Sequence, residues 1–109
     1  MDVKISTTDK IVTIAVEGSI DSNTAGDLQS KIMDKVAESQ NVLLDFSKVD
    51  FVSSAGLRVL LMIYRQIKSK NGKVVLVGVS EEIYDVMSMT GFVNFFEITD
   101  TIENALKTL

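Results

Sequence analysis

The chain contains no cysteine and no histidine. Disulfides, thiolate nucleophiles, imidazole bases and the usual zinc ligands are therefore excluded. A Ser-His-Asp triad cannot be assembled, and the redox state of the compartment leaves no mark. Proline is also absent, and no stretch is rich in Ser and Gly, so nothing marks a linker. No internal repeat of fixed period is visible. No apolar run approaches the roughly 20 residues needed to cross a bilayer. The opening MDVKISTTDK lacks the charged-then-apolar order of a secretion signal. The expectation is a cytoplasmic protein that makes no membrane contact. A basic excess is missing too: 11 Lys and Arg stand against 15 Asp and Glu, for a net charge of -4. The cations are scattered, which argues against nucleic acid as a partner. Neither G-x-G-x-x-G nor G-x-x-x-x-G-K-[ST] occurs, so the chain is poorly equipped to bind ATP as a kinase would. No cofactor and no metal are expected.

What is present suits one domain: 109 residues, 46% hydrophobic and 24% charged. Alternation predicts a strand over 3–7, a turn at Thr8-Asp9-Lys10, and a β-branched buried strand over 11–16 ending at Glu17-Gly18. A loop over 19–23 leads to a helix over 24–38, with Ala25, Leu28, Ile32 and Val36 as its apolar stripe and Thr24 with Asp27 as a candidate cap. The unbroken apolar run in 41–46 reads as a central parallel strand. A loop over 47–53 precedes a helix over 55–69, whose inner face is Leu57, Leu60, Leu61, Tyr64, Ile67 and the stem of Lys68. Asn71-Gly72 stops it. A strand over 74–79 follows, then a short helix capped by Ser80, with Ile83, Val86 and Met87 inward and Gly91 at its end. A strand over 95–98 and a last helix, opened by Asp100 with Glu103 and packed through Ile102, Ala105 and Leu106, complete the chain. The order β-β-α-β-α-β-α-β-α predicts a single small α/β domain. Its sheet is mostly parallel, with four to five strands, an antiparallel first strand at an edge, and helices mainly on one face.

Sites in such sheets collect at the carboxyl ends of the strands. Two connections there are informative: Gly18-Ser19-Ile20-Asp21, and Asp50 through Gly56. Val49, Phe51 and Val52 predict that the second folds back onto the core, holding Ser53 and Ser54 in place. Ser54 then stands at a helix start, where free N–H groups and the dipole favour negative charge. A phosphate there is compatible with the fold and changes the surface a partner meets. The competing reading is a plain N-cap. Ala55, Val59, Met62 and Gln66 form a second, partly apolar strip on the same helix. It is either a partner surface or a face covered by a neighbouring helix. Arg58 and Arg65 lie on one flank, free to meet acidic groups of a partner or merely solvated. Asp21 either lines the rim beside Ser54 or caps the first helix and its turn, and the residues alone favour capping. Asp45 satisfies loop N–H groups. The spacing of the two carboxylates specifies neither acid–base work nor Mg²⁺ binding.

The run Leu43-Leu44-Asp45-Phe46-Ser47-Lys48-Val49-Asp50-Phe51-Val52-Ser53-Ser54-Ala55-Gly56-Leu57 resembles the core motif of the STAS domain, and more narrowly that of bacterial anti-sigma-factor antagonists. Gly18-Ser19-Ile20-Asp21 resembles the family's G-x-[LI]-D element. The resemblance covers residues 3–106. It implies a protein that is not an enzyme and has no catalytic residue. The unmodified form binds an anti-sigma factor that is also a serine kinase of the histidine-kinase-like ATPase fold. Phosphorylation on Ser54 weakens the complex, and a PP2C-type phosphatase restores it. Ser53 stands where the family commonly has Asp, which makes it a second candidate acceptor. The implied partner-binding residues are Asp21, Ser53, Ser54, Ala55, Gly56, Arg58, Val59 and Met62. The alternative is a STAS-type scaffold or small-anion-binding module without phosphorylation. An enzyme with Ser54 as nucleophile is disfavoured by the lack of histidine.

Overall fold

The computed structural model describes residues 1–109. At Asp9 and Lys10 the backbone takes φ of 49° and 66°. Two successive left-handed residues match the twist of a tight hairpin, and they join β1 (Asp2–Thr8) to β2 (Ile11–Ile20) with Thr8 opposite Ile11. This pair is antiparallel, as the sequence predicts. The remaining strands, β3 (Asn41–Val52), β4 (Val74–Val77) and β5 (Glu97–Thr99), add in parallel. The result is one five-stranded sheet in the order β1-β2-β3-β4-β5.

Helices α1 (Ala25–Glu38), α2 (Ser54–Lys68) and α3 (Glu81–Met89) cover one face of this sheet. Leu28, Ile32 and Val36 of α1 and Leu57, Leu60, Ile63 and Ile67 of α2 meet Val12, Ile14, Val42, Leu44 and Leu76 of the strands in the main core. The last helix, α4 (Ile102–Thr108), crosses to the other face, where Ala105 packs on Leu43, Val75 and Val77. Leu43, Val75 and Val77 are thus covered on that side, whereas Val12, Ile14 and Leu44 point to the helices; alternation along each strand divides them.

Several expected boundaries move. β2 and β3 do not stop at Val16 and Phe46; they continue to Ile20 and Val52, pairing across register shifts at Ala15/Glu17 and Gly18/Ser19. The shifts absorb the polar break at Ser47-Lys48 that reads as a loop. The strand expected over 95–98 begins at Glu97, because Phe92–Phe95 form a 3₁₀ turn behind Gly91, whose φ is 81°. Strand β4 stops at Val77, where Gly78 turns left-handed with φ 68°. Val86, Ile102 and Leu106 are exposed rather than inward, since α3 and α4 are short and bury one narrow line each. Lys68 is exposed as well.

The turn after α2 is built around close approach. A Cβ on Gly72 would lie 1.8 Å from the carbonyl oxygen of Gln40. Asn71 ahead of it is left-handed, φ 61°. Lys70 reaches back so that its ammonium donates to the carbonyls of Val36, Ala37 and Ser39, the open end of α1. That charge and those acceptors are a favourable match at a helix C-terminus.

Candidate functional site

The longer strands bring the two informative connections together. Ser19 pairs with Phe51 and Ile20 with Val52, and the Ser53 N–H donates to the Ile20 carbonyl at 2.8 Å. The entry to α2 is therefore hung from the end of β2. Gly56 tightens this junction: a Cβ there would come within 2.8 Å of the side chains of Ile20 and Val52. Only glycine allows the first turn of α2 to sit so close.

Ser53, not Ser54, is the N-cap. It has φ -85° and ψ 177°, and its Oγ accepts from Gly56 N–H at 3.4 Å. Ser54 is the first helical residue and is exposed. The plain capping reading thus belongs to Ser53, and the Ser54 hydroxyl faces solvent. The first turn of α2 contains no acidic residue, so its positive end is not offset by a neighbouring carboxylate.

Asp21 sits on the adjoining rim, half-buried. Its Oδ1 accepts from the N–H groups of Asn23 at 2.8 Å and Thr24 at 3.2 Å, while its own N–H donates to Thr24 Oγ1 at 2.9 Å. The Thr24 hydroxyl in turn donates to the Ser19 carbonyl at 2.9 Å. Asp21 therefore organises the turn into α1, and the expected side-chain cap from Thr24 is absent because its oxygen is used in that turn. Asp45 lies far down β3, opposite Ala15, and its Oδ1 accepts from Ser47 N–H and Ser47 Oγ. The two carboxylates do not share a site.

Along α2, Ser54, Arg58, Met62 and Arg65 are exposed, Ala55 and Gln66 are half-buried, and Gly56 is buried. Met62 is 37% exposed. Val59 is only 3% exposed and belongs to the main core. Of the two readings of this strip, the covered one holds at Val59, which therefore is not part of an exposed partner surface: α1 packs against α2, and Val59 lies in the core cluster that holds the buried residues of α1. The exposed line instead runs Ser54, Arg58, Met62, at i, i+4 and i+8 on one face. Phe51 was expected to fold inward, yet it is 54% exposed beside Ser19. The cause is the shift between Gly18 and Ser19: Gly18 pairs with Val49 but Ser19 with Phe51, so Asp50 is an extra residue and Phe51 faces away from Val49.

Comparison with known proteins gives a consistent result. Residues 2–105 match the family model of the STAS domain. BtrV of Bordetella bronchiseptica, provisionally named an anti-sigma factor antagonist, is 27% identical over 106 residues, covering 96% of this chain and 91% of BtrV. The anti-sigma-B factor antagonist of Listeria monocytogenes is 27% identical over 99 residues, covering 90% of this chain and 86% of the relative. The Bacillus protein SpoIIAA, solved in its phosphorylated form, superposes with a TM-score of 0.77 at 19% identity, with 98% of each chain covered. No helix is long and apolar enough to cross a membrane. With its family motif, fold and sequence relatives in agreement, this chain belongs to the STAS domain family.

Proposed function

We propose that this chain is an anti-sigma-factor antagonist that works by binding, and that phosphorylation of Ser54 switches the binding off. One observation carries the reading: Ser54 is the exposed first residue of α2, while its neighbour Ser53 performs the capping. A kinase can reach the hydroxyl without unfolding the helix. The dianion formed meets a helix end that favours it, so the fold tolerates the change. A partner seated over Ser54 meets about -1.5 to -2 added charges and three bulky oxygens.

The docking surface in this reading is the exposed line Ser54, Arg58 and Met62, bordered by Ala55, Ser53 and the Asp21 rim. Phe51 adds an aromatic edge that sequence reasoning missed. Gly56 and Val59 act from beneath, by setting the height and packing of α2. The partner is an anti-sigma factor acting also as a serine kinase of the histidine-kinase-like ATPase fold, and a PP2C-type phosphatase resets the switch. The relatives named as anti-sigma factor antagonists support this assignment. So does the existence of a phosphorylated form of the fold relative SpoIIAA.

The test is incubation with the cognate kinase and ATP, followed by intact mass. The wild type and Ser53→Ala gain the mass of one phosphate, and Ser54→Ala gains none. Phosphate uptake that survives in Ser54→Ala, or no uptake by the wild type, defeats the proposal.

A further inference from the structure

Strand β1 forms an open edge of the sheet, so its outer N–H and C=O groups have no strand beside them. It pairs with β2 without a register break over its whole length, and it contains no proline. No bulge blunts this edge. On the helix side, Val3 and Ile5 are half-buried against the main core. On the other side, Asp2 and Lys4 are exposed, in the hollow they share with Ala15, Glu17, Asp45 and Lys48. Asp2 stands directly opposite Glu17. Like charges in that relation are destabilising. Glu17 has Lys48 opposite it on β3, and the ion pairs Lys31–Asp27 and Lys73–Glu97 lie elsewhere, so Asp2 is the carboxylate with no cation opposite it.

We propose that β1 is a self-pairing edge, through which two copies of this chain join antiparallel about a two-fold axis at Val3. In that register Asp2 of each copy faces Lys4 of the other, Val3 faces Val3, and Met1 faces Ile5. Each incoming ammonium lies directly opposite Asp2, on the side away from Glu17, and gives Asp2 the facing cation that Lys48 already gives Glu17. The half-exposed Val3 and Ile5 gain apolar cover at the same time. A two-fold axis at Lys4 places Lys4 against Lys4 and is disfavoured by charge. One at Ile5 sets Lys4 opposite Ser6 and Asp2 opposite Thr8, so Asp2 gains no cation. The occupant is a second copy because the charge pattern of β1 complements itself. The contact spans residues 1–5 on each side, so the dimer is weak and concentration-dependent.

Sedimentation velocity of the whole untagged chain, from micromolar to millimolar at low salt, tests this. The wild type shifts from monomer to dimer as concentration rises, and added salt shifts it back. Asp2→Lys and Lys4→Asp each sediment as monomers where the wild type is dimeric. Their equimolar mixture regains the dimer, because each lysine-bearing strand then faces an aspartate-bearing one. The double variant Asp2→Lys/Lys4→Asp dimerises as the wild type does. A wild type that stays monomeric to millimolar overturns the proposal. So do single variants that dimerise unimpaired, or a mixture that remains monomeric.

Discussion

Two adjacent serines with different duties show how much one position matters. Ser53 holds Gly56 N–H through a bond of 3.4 Å, long for a cap. Its replacement by Ala is expected to cost about 0.5–1 kcal/mol, the low end for an N-cap, read as a shift in urea midpoint. Ser53→Asp is expected to stabilise α2 instead, since a carboxylate caps well and complements the dipole. Ser54→Ala leaves the midpoint unchanged within error. The sequence alone could not separate these roles, because the two serines are alike and the helix start is uncertain by a residue. Gly72 is the opposite case, a residue without alternatives. Gly72→Ala forces a methyl against the Gln40 carbonyl. The expected loss exceeds the about 3 kcal/mol of ordinary overpacking, because backbone cannot swing aside.

At the scale of elements, helix α2 is both a core component and a display surface. Val59→Ala is expected to lower stability by about 2 kcal/mol, from lost burial and a residual cavity. Met62→Ala leaves the midpoint in place and acts on partner affinity, so thermal melts and binding titrations separate the two. Lys70 ties α2 to α1 across the turn. Lys70→Met keeps the stem but abandons three carbonyls. About 2 kcal/mol is expected to go with the charged hydrogen bonds, visible in chemical denaturation. The helices and the central strands were legible because their apolar periods are strong. The tails of β2 and β3 were not. They exist through pairing with each other across shifted register, and no local period in Ser47-Lys48 or Gly18-Ser19 announces it. Missing that extension also hid Phe51, whose outward turn follows from the extra residue Asp50 opposite Gly18-Ser19. Val59 misled for a related reason: a helix face opposite one core stripe is solvent only until a second helix lies on it, and the position of α1 is a tertiary fact.

For the whole molecule, the reading rests on a fold that tolerates charge at Ser54 while the partner does not. Ser54→Asp is expected to retain the wild-type denaturation midpoint and to weaken partner binding in calorimetry. The effect is partial, because a carboxylate has less charge and fewer oxygens than a phosphate. The affinity lost by the phosphorylated protein should shrink as ionic strength rises. Recognition of the family came from the run around Ser53-Ser54 and from Gly18 to Asp21, which the sheet brings into one rim.

The sheet's spatial order is the same as its order in the chain. No strand has to be threaded between two that have already paired. A nascent polypeptide can close its first hairpin, lay the next strand alongside once α1 has emerged, and extend the sheet outwards at the ribosome's pace. Assembly by accretion keeps loop-closure costs modest at every step. It also keeps β1 as an open margin from the first hairpin to the finished protein.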